Sequence, residues 1–224
     1  MKKTRKILLM AACAILLVCI SVGATVAYLT DMKSVTNTFT VGKVAITLDE
    51  KDVTLMGESD PDNTARVDAN EYKLMPGRSY IKDPTVHFLP DSDESWLFVK
   101  VEMPDGFTEI ESNYTHEGES VGTISEQIET NGWTALGDAY PGIYYKHQVA
   151  NNETYSIDIP VFYGFKIGDN VVSTALDVIK PATTGTDEKD NNKLKVTAYA
   201  VQADGFADAE AAWTATFGTP STNP

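Results

Sequence analysis

Residues 95–103 read SWLFVKVEM, and large side chains alternate between the two faces of this segment. Leu97, Val99 and Val101 share one face, and Trp96 and Phe98 share the other. A two-residue period with β-branched and aromatic side chains is typical of a β-strand packed against a core. The segment therefore predicts a strand, and the same pattern guides the interpretation of the rest of the chain.

The same alternation recurs before and after this segment. The further alternating runs are residues 44–48, 80–88, 155–165 and 194–201. Turn pairs such as Asn131-Gly132 separate them, and only residues 123–130 and 208–216 predict short helices. Because strands and helices do not alternate regularly, the sequence predicts an all-β fold, an antiparallel two-sheet sandwich. Residues 56–71 and 183–193 are expected to form long acidic loops.

The N-terminus has the pattern of a secretory signal peptide. Four basic residues within residues 2–6 precede the uncharged run 7–27, which ends in small side chains. Cleavage after Ala27 would make Tyr28 the new N-terminus and leave residues 28–224 as a single domain. The alternative is a retained membrane anchor, but the strongly apolar part covers only residues 7–20, which favours cleavage.

Composition excludes several classes of function. The whole chain has a net charge of −14, and removing the basic signal makes it more negative. Nucleic acid is excluded as a partner, since its binding needs clustered cations, and membrane contact is expected only through the uncleaved signal. Both cysteines, Cys13 and Cys19, lie in the signal, so the mature chain has no disulfide and no cysteine-bound metal. No cofactor is predicted.

Three blocks of sequence resemble the TasA/camelysin-like family of secreted Gram-positive proteins. They are ATVAYLTDMKSVTNTFTVGKVAITLDE at residues 24–50, LMPGRSYIKDPTVHF with WLFVKVEM at residues 74–103, and KLKVTAYAVQADGFADAEAAW at residues 193–213. The resemblance implies a jelly-roll sandwich and a non-enzymatic structural role in a biofilm matrix or at the cell surface. It also implies export through a SipW-type signal peptidase and self-association or binding to related matrix subunits.

The segment after the predicted cleavage site is a candidate assembly strand. Its alternating apolar residues are Phe39, Val41, Val44, Ile46 and Leu48. Such a strand can pair with an open sheet edge of a neighbouring subunit, where main-chain hydrogen bonds supply affinity and alternating side chains supply register. The alternative is that it pairs within its own sandwich.

Enzymatic motifs are incomplete. His116-Glu117 lacks the second histidine of the zinc motif HExxH, and His87 and His147 are far away in sequence. The match to GxSxG at residues 118–122, with Asp138 and His147 following, lacks the strand–turn–helix context that this motif needs. The sequence therefore predicts a loop at residues 118–122 and neither a metallopeptidase nor a hydrolase.

Two kinds of ligand site remain as alternatives. Asp60, Asp62, Asp68 and Glu71 have the spacing of a calcium loop, but Ala65 stands where that loop needs glycine, so a solvated loop is favoured. Several tyrosines are candidates for a sugar-stacking surface, which would make the chain a monomeric ligand- or glycan-binding module. These tyrosines are Tyr140, Tyr144, Tyr145, Tyr155 and Tyr163. Packing against a sheet explains them more simply.

Overall fold

The computed structural model describes residues 42–179 and 192–219, and these contain thirteen strands, three α-helices and one 3-10 helix at Ser173–Ile179. The strands are β1 (Ile46–Lys51), β2 (Arg66–Val67), β3 (Ser79–Ile81), β4 (Thr85–Phe88), β5 (Ser95–Glu102), β6 (Glu111–Ser112), β7 (Tyr114–His116), β8 (Glu119–Gly122), β9 (Thr134–Ala135), β10 (Ile143–Gln148), β11 (Ile157–Pro160), β12 (Gly164–Ile167) and β13 (Lys195–Gln202). The helices are α1 (Phe107–Ile110), α2 (Ile124–Thr130) and α3 (Ala209–Phe217).

Two four-stranded antiparallel sheets form the main body of the described fold. Their strand orders are β11-β4-β1-β2 and β13-β5-β10-β9. A three-stranded sheet, β3-β12-β6, and the hairpin β7-β8 add to them. The predicted all-β antiparallel sandwich is confirmed, and the segment that opened the sequence analysis is β5, between β10 and β13 in the second sheet.

The main core lies between the inward faces of the two large sheets. Leu97 and Val99 of β5 are completely buried there, together with Val86 and Phe88 of β4. Full burial of each such side chain contributes roughly 1.5–3 kcal/mol relative to an exposed one. The alternation predicted for β5 is thus the pattern that fills this core.

A second, smaller core covers the other face of β5. Phe98 packs edge-on against Trp213 of α3, with ring centroids 5.1 Å apart, and Tyr199 of β13 packs against the same tryptophan at 5.5 Å. Helix α3 begins after Asp208, whose carboxylate accepts a hydrogen bond from the amide of Ala211. The helix predicted over residues 208–216 is confirmed, and it explains why β5 is apolar on both faces.

Helix α2 confirms the helix predicted over residues 123–130. Thr123 and Glu126 form a reciprocal capping box at its start. Gly132, with a φ of 82°, lies just after the end of the helix in the left-handed region that glycine tolerates. The turn delivers Trp133 into the main core.

The prediction of one continuous strand over residues 155–165 is wrong. Strand β11 ends at Pro160, where it pairs with β4, and β12 begins at Gly164, where it pairs with β3 of a different sheet. Val161 and Phe162 are both completely buried, which a single strand with alternating faces does not allow. The indole N–H of Trp133 donates to the Pro160 carbonyl at 2.9 Å and stabilises the chain where β11 ends.

Two further predictions need correction. The alternating run 80–88 is two strands in two sheets, because the chain turns between Ile81 and Thr85 and Asp83 accepts a hydrogen bond from the amide of Lys51 at 2.6 Å. The acidic loop predicted over residues 56–71 contains β2, which pairs with the end of β1. Short strands of this kind carry too little pattern to be seen in sequence.

Candidate functional site

The candidate assembly strand is described only in its second half. Phe39 and Val41, like the predicted cleavage site at Ala27 and Tyr28, lie outside the described residues. Val44 packs against the main core, as do the two residues that follow in the pattern, Ile46 and Leu48. In β1, Ile46 lies opposite Phe88 and Leu48 lies opposite Val86. This part of the strand therefore pairs within its own chain, as the alternative interpretation expects.

Strand β13 is an edge of the second sheet in the described part of the chain. Its eight residues pair with β5 on one side. The amide of Ala203 donates to the Glu94 carbonyl at 2.8 Å, so the odd-numbered residues form the ladder with β5. The backbone N–H and C=O groups of Val196, Ala198 and Ala200 consequently point to the other side. An edge of this length is a template for an added strand.

A chain of charges crosses the outward face of the first sheet. His87 of β4 contacts Asp158 of β11 at 2.6 Å through Nδ1 and Asp49 of β1 at 2.9 Å through Nε2. Arg66 of β2 binds Asp49 and reaches Asp83 at 3.2 Å. These pairs join all four strands of the sheet. We call the five residues the outer ladder: Asp49, Arg66, Asp83, His87 and Asp158.

The outer ladder shifts the titration of its members. Burial by itself lowers the pKa of His87, but hydrogen bonds to Asp49 and Asp158 outweigh it, so this pKa lies above its ordinary value. Burial by itself raises the pKa of Asp49, but the hydrogen bonds from Arg66 and His87 outweigh it and hold this pKa below its ordinary value. Both pKa shifts favour the charged forms, so the ion pairs of the outer ladder stabilise the register of β1.

A second polar cluster lies on the inward side of the same strand. Glu50 of β1 is 4% exposed and forms an ion pair with Lys82, which is 8% exposed. The side-chain amide of Asn70 donates to Glu50 Oε1 at 2.9 Å and to the Lys51 carbonyl at 2.8 Å, and Asn70 Oδ1 accepts from the amide of Val53 at 3.0 Å. We call Glu50, Lys82 and Asn70 the inner cluster.

The three residues of the inner cluster line a cavity of about 670 Å³. Leu48, Phe107 and Phe165 supply apolar walls. Tyr72 covers the cluster, with its ring centroid 5.9 Å from Lys82 Nζ, and its hydroxyl donates to the Ile81 carbonyl at 3.0 Å. Burial first, and then the nearby carboxylate of the cluster, raises the pKa of Tyr72 far above its ordinary value.

Another half-buried carboxylate lies at the start of α2. Glu111 accepts a hydrogen bond from the amide of Ile124 at 2.7 Å. Burial raises its pKa from 4.5 to about 7, the Ile124 amide lowers it in part, and the carboxylate of Glu126 raises it again. Two carboxylates therefore converge on one short helix terminus, and one of them takes up a proton near neutral pH.

The structure separates the residues of the zinc and calcium alternatives. The three histidines lie on three different sheets: His87 on β4, His116 on β7 and His147 on β10. His116 stacks on Tyr163 with ring centroids 4.1 Å apart, and His147 pairs with Glu94 at 2.9 Å. Across residues 42–179 and 192–219, no group of three or more His, Cys, Asp or Glu side chains is placed to hold a metal ion.

The calcium candidates are arranged as turn and pocket residues. The Asp60 carboxylate accepts a hydrogen bond from the amide of Asp62 at 2.9 Å, which makes a local turn. Asp68 and Glu71 follow β2 and line the cavity. The intervening strand β2 separates the two pairs along the chain.

The GxSxG match belongs to a β-hairpin. Glu117 and Gly118, both with positive φ, form the turn between β7 and β8, and Ser120 lies within β8 opposite Thr115. The predicted loop is therefore mostly strand. A strand residue in a two-stranded hairpin does not occupy the strand–turn–helix position that a nucleophilic serine of this motif requires.

The five tyrosines do not form one surface. Tyr140 is buried, and its hydroxyl is 2.9 Å from that of Thr214. Tyr144 packs on the main core, Tyr145 packs on the second core, and Tyr155 is 63% exposed in the connection before β11. These residues are dispersed because neighbouring positions of a strand face opposite sides.

Comparison with known proteins adds no family or fold relative: no family model, no curated protein and no solved structure matches the chain. Among the helices that the structure describes, none is both long enough and apolar enough to cross a membrane.

Sequence reasoning missed the inner cluster, although two of its residues left a signal. Glu50 continues the inward parity of Ile46 and Leu48, and Lys82 has the parity of Tyr80 in the next run. Opposite charges at inward positions of two strands indicate a buried ion pair. Asn70 lies in a long connection and has no such signal, because its position depends on the pairing of β2 with β1.

Proposed function

We propose that this chain is a secreted, non-enzymatic structural subunit of the TasA/camelysin-like type, located at the cell surface or in an extracellular matrix. The observation that carries the proposal is the direct passage from an export signal into a strand-forming segment whose second half is β1. The antiparallel sandwich is a scaffold on which such a segment can act as an assembly element. The negative charge and the absence of cysteine after residue 27 agree with an extracellular protein that depends on packing.

The assembly step that we propose is strand exchange, confined to residues 28–41. Residues from β1 onward are held in their own sheet by the pairing with β4 and by the outer ladder. Lys43 and Ala45 are held as well, since their carbonyls accept hydrogen bonds from the amides of Asp93 at 2.8 Å and Leu89 at 3.0 Å. The donor segment is therefore the part between the predicted cleavage site and Gly42. The acceptor is β13, whose Val196, Ala198 and Ala200 direct backbone groups away from β5. A SipW-type signal peptidase would release the donor segment by cutting after Ala27.

The test compares two purified mature proteins, one beginning at Tyr28 and one beginning at Gly42. Sedimentation and electron microscopy should show high-mass assemblies for the first and monomers for the second. Both should have the same β-rich circular dichroism, because the deletion leaves β1 and its partners intact. A third protein with residues 28–41 in shuffled order controls for length and composition. Equal assembly of the Tyr28 and Gly42 forms would contradict the proposal.

The cavity favours a second candidate function, a monomeric ligand-binding module. Small-molecule sites are usually concave, and the cavity of about 670 Å³, which is lined by both apolar and charged side chains, has the size of such a site. A binding module should bind its ligand as a monomer, whether or not residues 28–41 are present. Loss of assembly without loss of ligand binding in the Gly42 form would separate the two functions.

A further inference from the structure

The inner cluster places an amine, a carboxamide and a carboxylic group together in a buried site. We propose that Lys82 and Asn70 become joined by an intramolecular isopeptide bond, with Glu50 as the catalytic acid–base group. The bond is an amide between Lys82 Nζ and Asn70 Cγ, and its formation releases ammonia. The proposal is independent of the proposed function, since it concerns one folded chain.

The contacts assign a role to each group. Glu50 bridges the two reactants, because one carboxylate oxygen binds Lys82 Nζ and the other accepts from Asn70 Nδ2 at 2.9 Å. The orientation of the carboxamide is fixed, since Val53 N–H needs an acceptor at Oδ1 and the Lys51 carbonyl needs a donor at Nδ2. The nitrogen that must leave therefore faces Glu50, and the oxygen that must carry negative charge faces an N–H donor.

The reacting groups are shielded from water and in direct contact. Glu50 and Lys82 are almost completely buried, and the Tyr72 ring covers them from the cavity side. The direct contact between Lys82 and Glu50 lets one proton pass from the amine to the carboxylate during the reaction. A free amine is the form of lysine that attacks a carbonyl carbon.

The steps balance without any co-reactant. Lys82 gives one proton to Glu50, and its lone pair attacks Asn70 Cγ to form a tetrahedral intermediate whose oxyanion accepts a hydrogen bond from the Val53 amide. Glu50 returns the proton to Nδ2, the Cγ–Nδ2 bond breaks, and the former carboxamide nitrogen leaves as ammonia. The second lysine proton passes to the departing ammonia, so the products are a secondary amide and one ammonium ion. The adjoining cavity gives ammonia a path to solvent.

The bond would tie the segment that follows β2 to the segment between β3 and β4. Asn70 follows β2, Lys82 lies between β3 and β4, and Glu50 belongs to β1, which contacts both regions. A covalent closure of this kind restricts the unfolded chain as a disulfide does. It would supply a cross-link to a mature chain that has no cysteine.

The mass of the intact mature protein is the direct test and needs no variant. We expect a mass lower than the sequence mass by one ammonia molecule. Tryptic digestion should then yield residues 67–73 joined to residues 79–100, with no cleavage after Lys82 and with resistance to reducing agents. A mature protein at its full sequence mass would overturn the proposal.

Lys82→Arg distinguishes the isopeptide from a succinimide at Asn70, which loses the same mass. Lys82→Arg, Asn70→Ala and Glu50→Gln should each restore the full mass, and Lys73→Arg, a change at a lysine of the same region, should leave the loss in place. Loss of ammonia that persists in Lys82→Arg would show succinimide formation and overturn the proposal. Circular dichroism of each variant checks that it has folded, and the joined peptide of the unmutated chain decides the matter if one has not.

Discussion

Replacement of Glu111 by glutamine should stabilise the protein above pH 7 and leave its stability unchanged below pH 4.5. Glutamine keeps an oxygen for the amide of Ile124, so the hydrogen bond of 2.7 Å survives while the charge is removed. Burial is the main reason that the pKa of Glu111 rises from 4.5 to about 7. Between these two values the folded chain holds a proton that the unfolded chain has released. The free energy of unfolding therefore falls as pH rises through this window, and glutamine abolishes that fall.

The size of the effect follows from the shift. Each pKa unit corresponds to about 1.4 kcal/mol, so the change from 4.5 to about 7 sets an upper limit of about 3 kcal/mol. Glu111 is only half-buried, and water screens part of the interaction. We therefore expect Glu111→Gln to raise the free energy of unfolding by about 1–2 kcal/mol above pH 7. Urea titrations followed by tryptophan fluorescence on both sides of the window measure it.

Glu126→Gln is the comparison at the same helix terminus, and its effect on stability should have the opposite sign. The pKa of Glu126 is lowered because it accepts hydrogen bonds from the amide and hydroxyl of Thr123. Its contribution to stability is present above pH 4.5 and is lost as pH falls, so the control should be destabilised at neutral pH and much less in acid. A Glu111→Gln protein whose difference from the unmutated chain does not change with pH would refute the reasoning.

Three further predictions concern the sheets. His87→Gln should lower the free energy of unfolding by about 1 kcal/mol below pH 6.5 and should have no effect well above that pH. Burial by itself lowers the pKa of His87, but hydrogen bonds to the flanking carboxylates outweigh it and raise this pKa. Urea midpoints measured across this pH range test the prediction. Leu97→Ala should lower the free energy of unfolding by about 2–5 kcal/mol, whereas Leu55→Ala, at a side chain 55% exposed, should change it by less than about 0.5 kcal/mol. Ala198→Pro should leave the monomer folded and abolish assembly in sedimentation, whereas Thr197→Pro removes a ladder bond to β5 and should destabilise the monomer itself.

The sequence was most informative where structure depends on near neighbours. The alternation around Val99 and the short helical runs at residues 123–130 and 208–216 are local patterns, and the strand and both helices that they predict are present. The break at Val161 is different, because it depends on Trp133 reaching a carbonyl of a distant segment. Strand partners are likewise non-local, so alternation predicts that a strand exists but not which sheet it joins.

The candidate sites show the same difference between local and non-local information. Every alternative drawn from motif spacing assumed that residues near in sequence act together, as in the match around Ser120. The two clusters that the structure brings together, the outer ladder and the inner cluster, are built from single residues contributed by separate strands and loops. A periodic pattern shows only that Glu50 faces inward, and the pairing of β1 with its neighbours is needed to show what it meets there.

Strand β1 carries both clusters on adjacent residues, and this placement limits how the chain can assemble. Asp49 is tied to β2 and β4 on the outer face, while Glu50 is tied to Lys82 and Asn70 on the inner face. Withdrawal of β1 from its own sheet would break both sets at once and leave buried Lys82 without its partner, which is strongly destabilising. An exchange that included β1 would have to replace all of these contacts, whereas an exchange confined to residues before Gly42 leaves them intact. Strand β1 is thus anchored in its own sheet, and the proposed assembly element lies wholly before it.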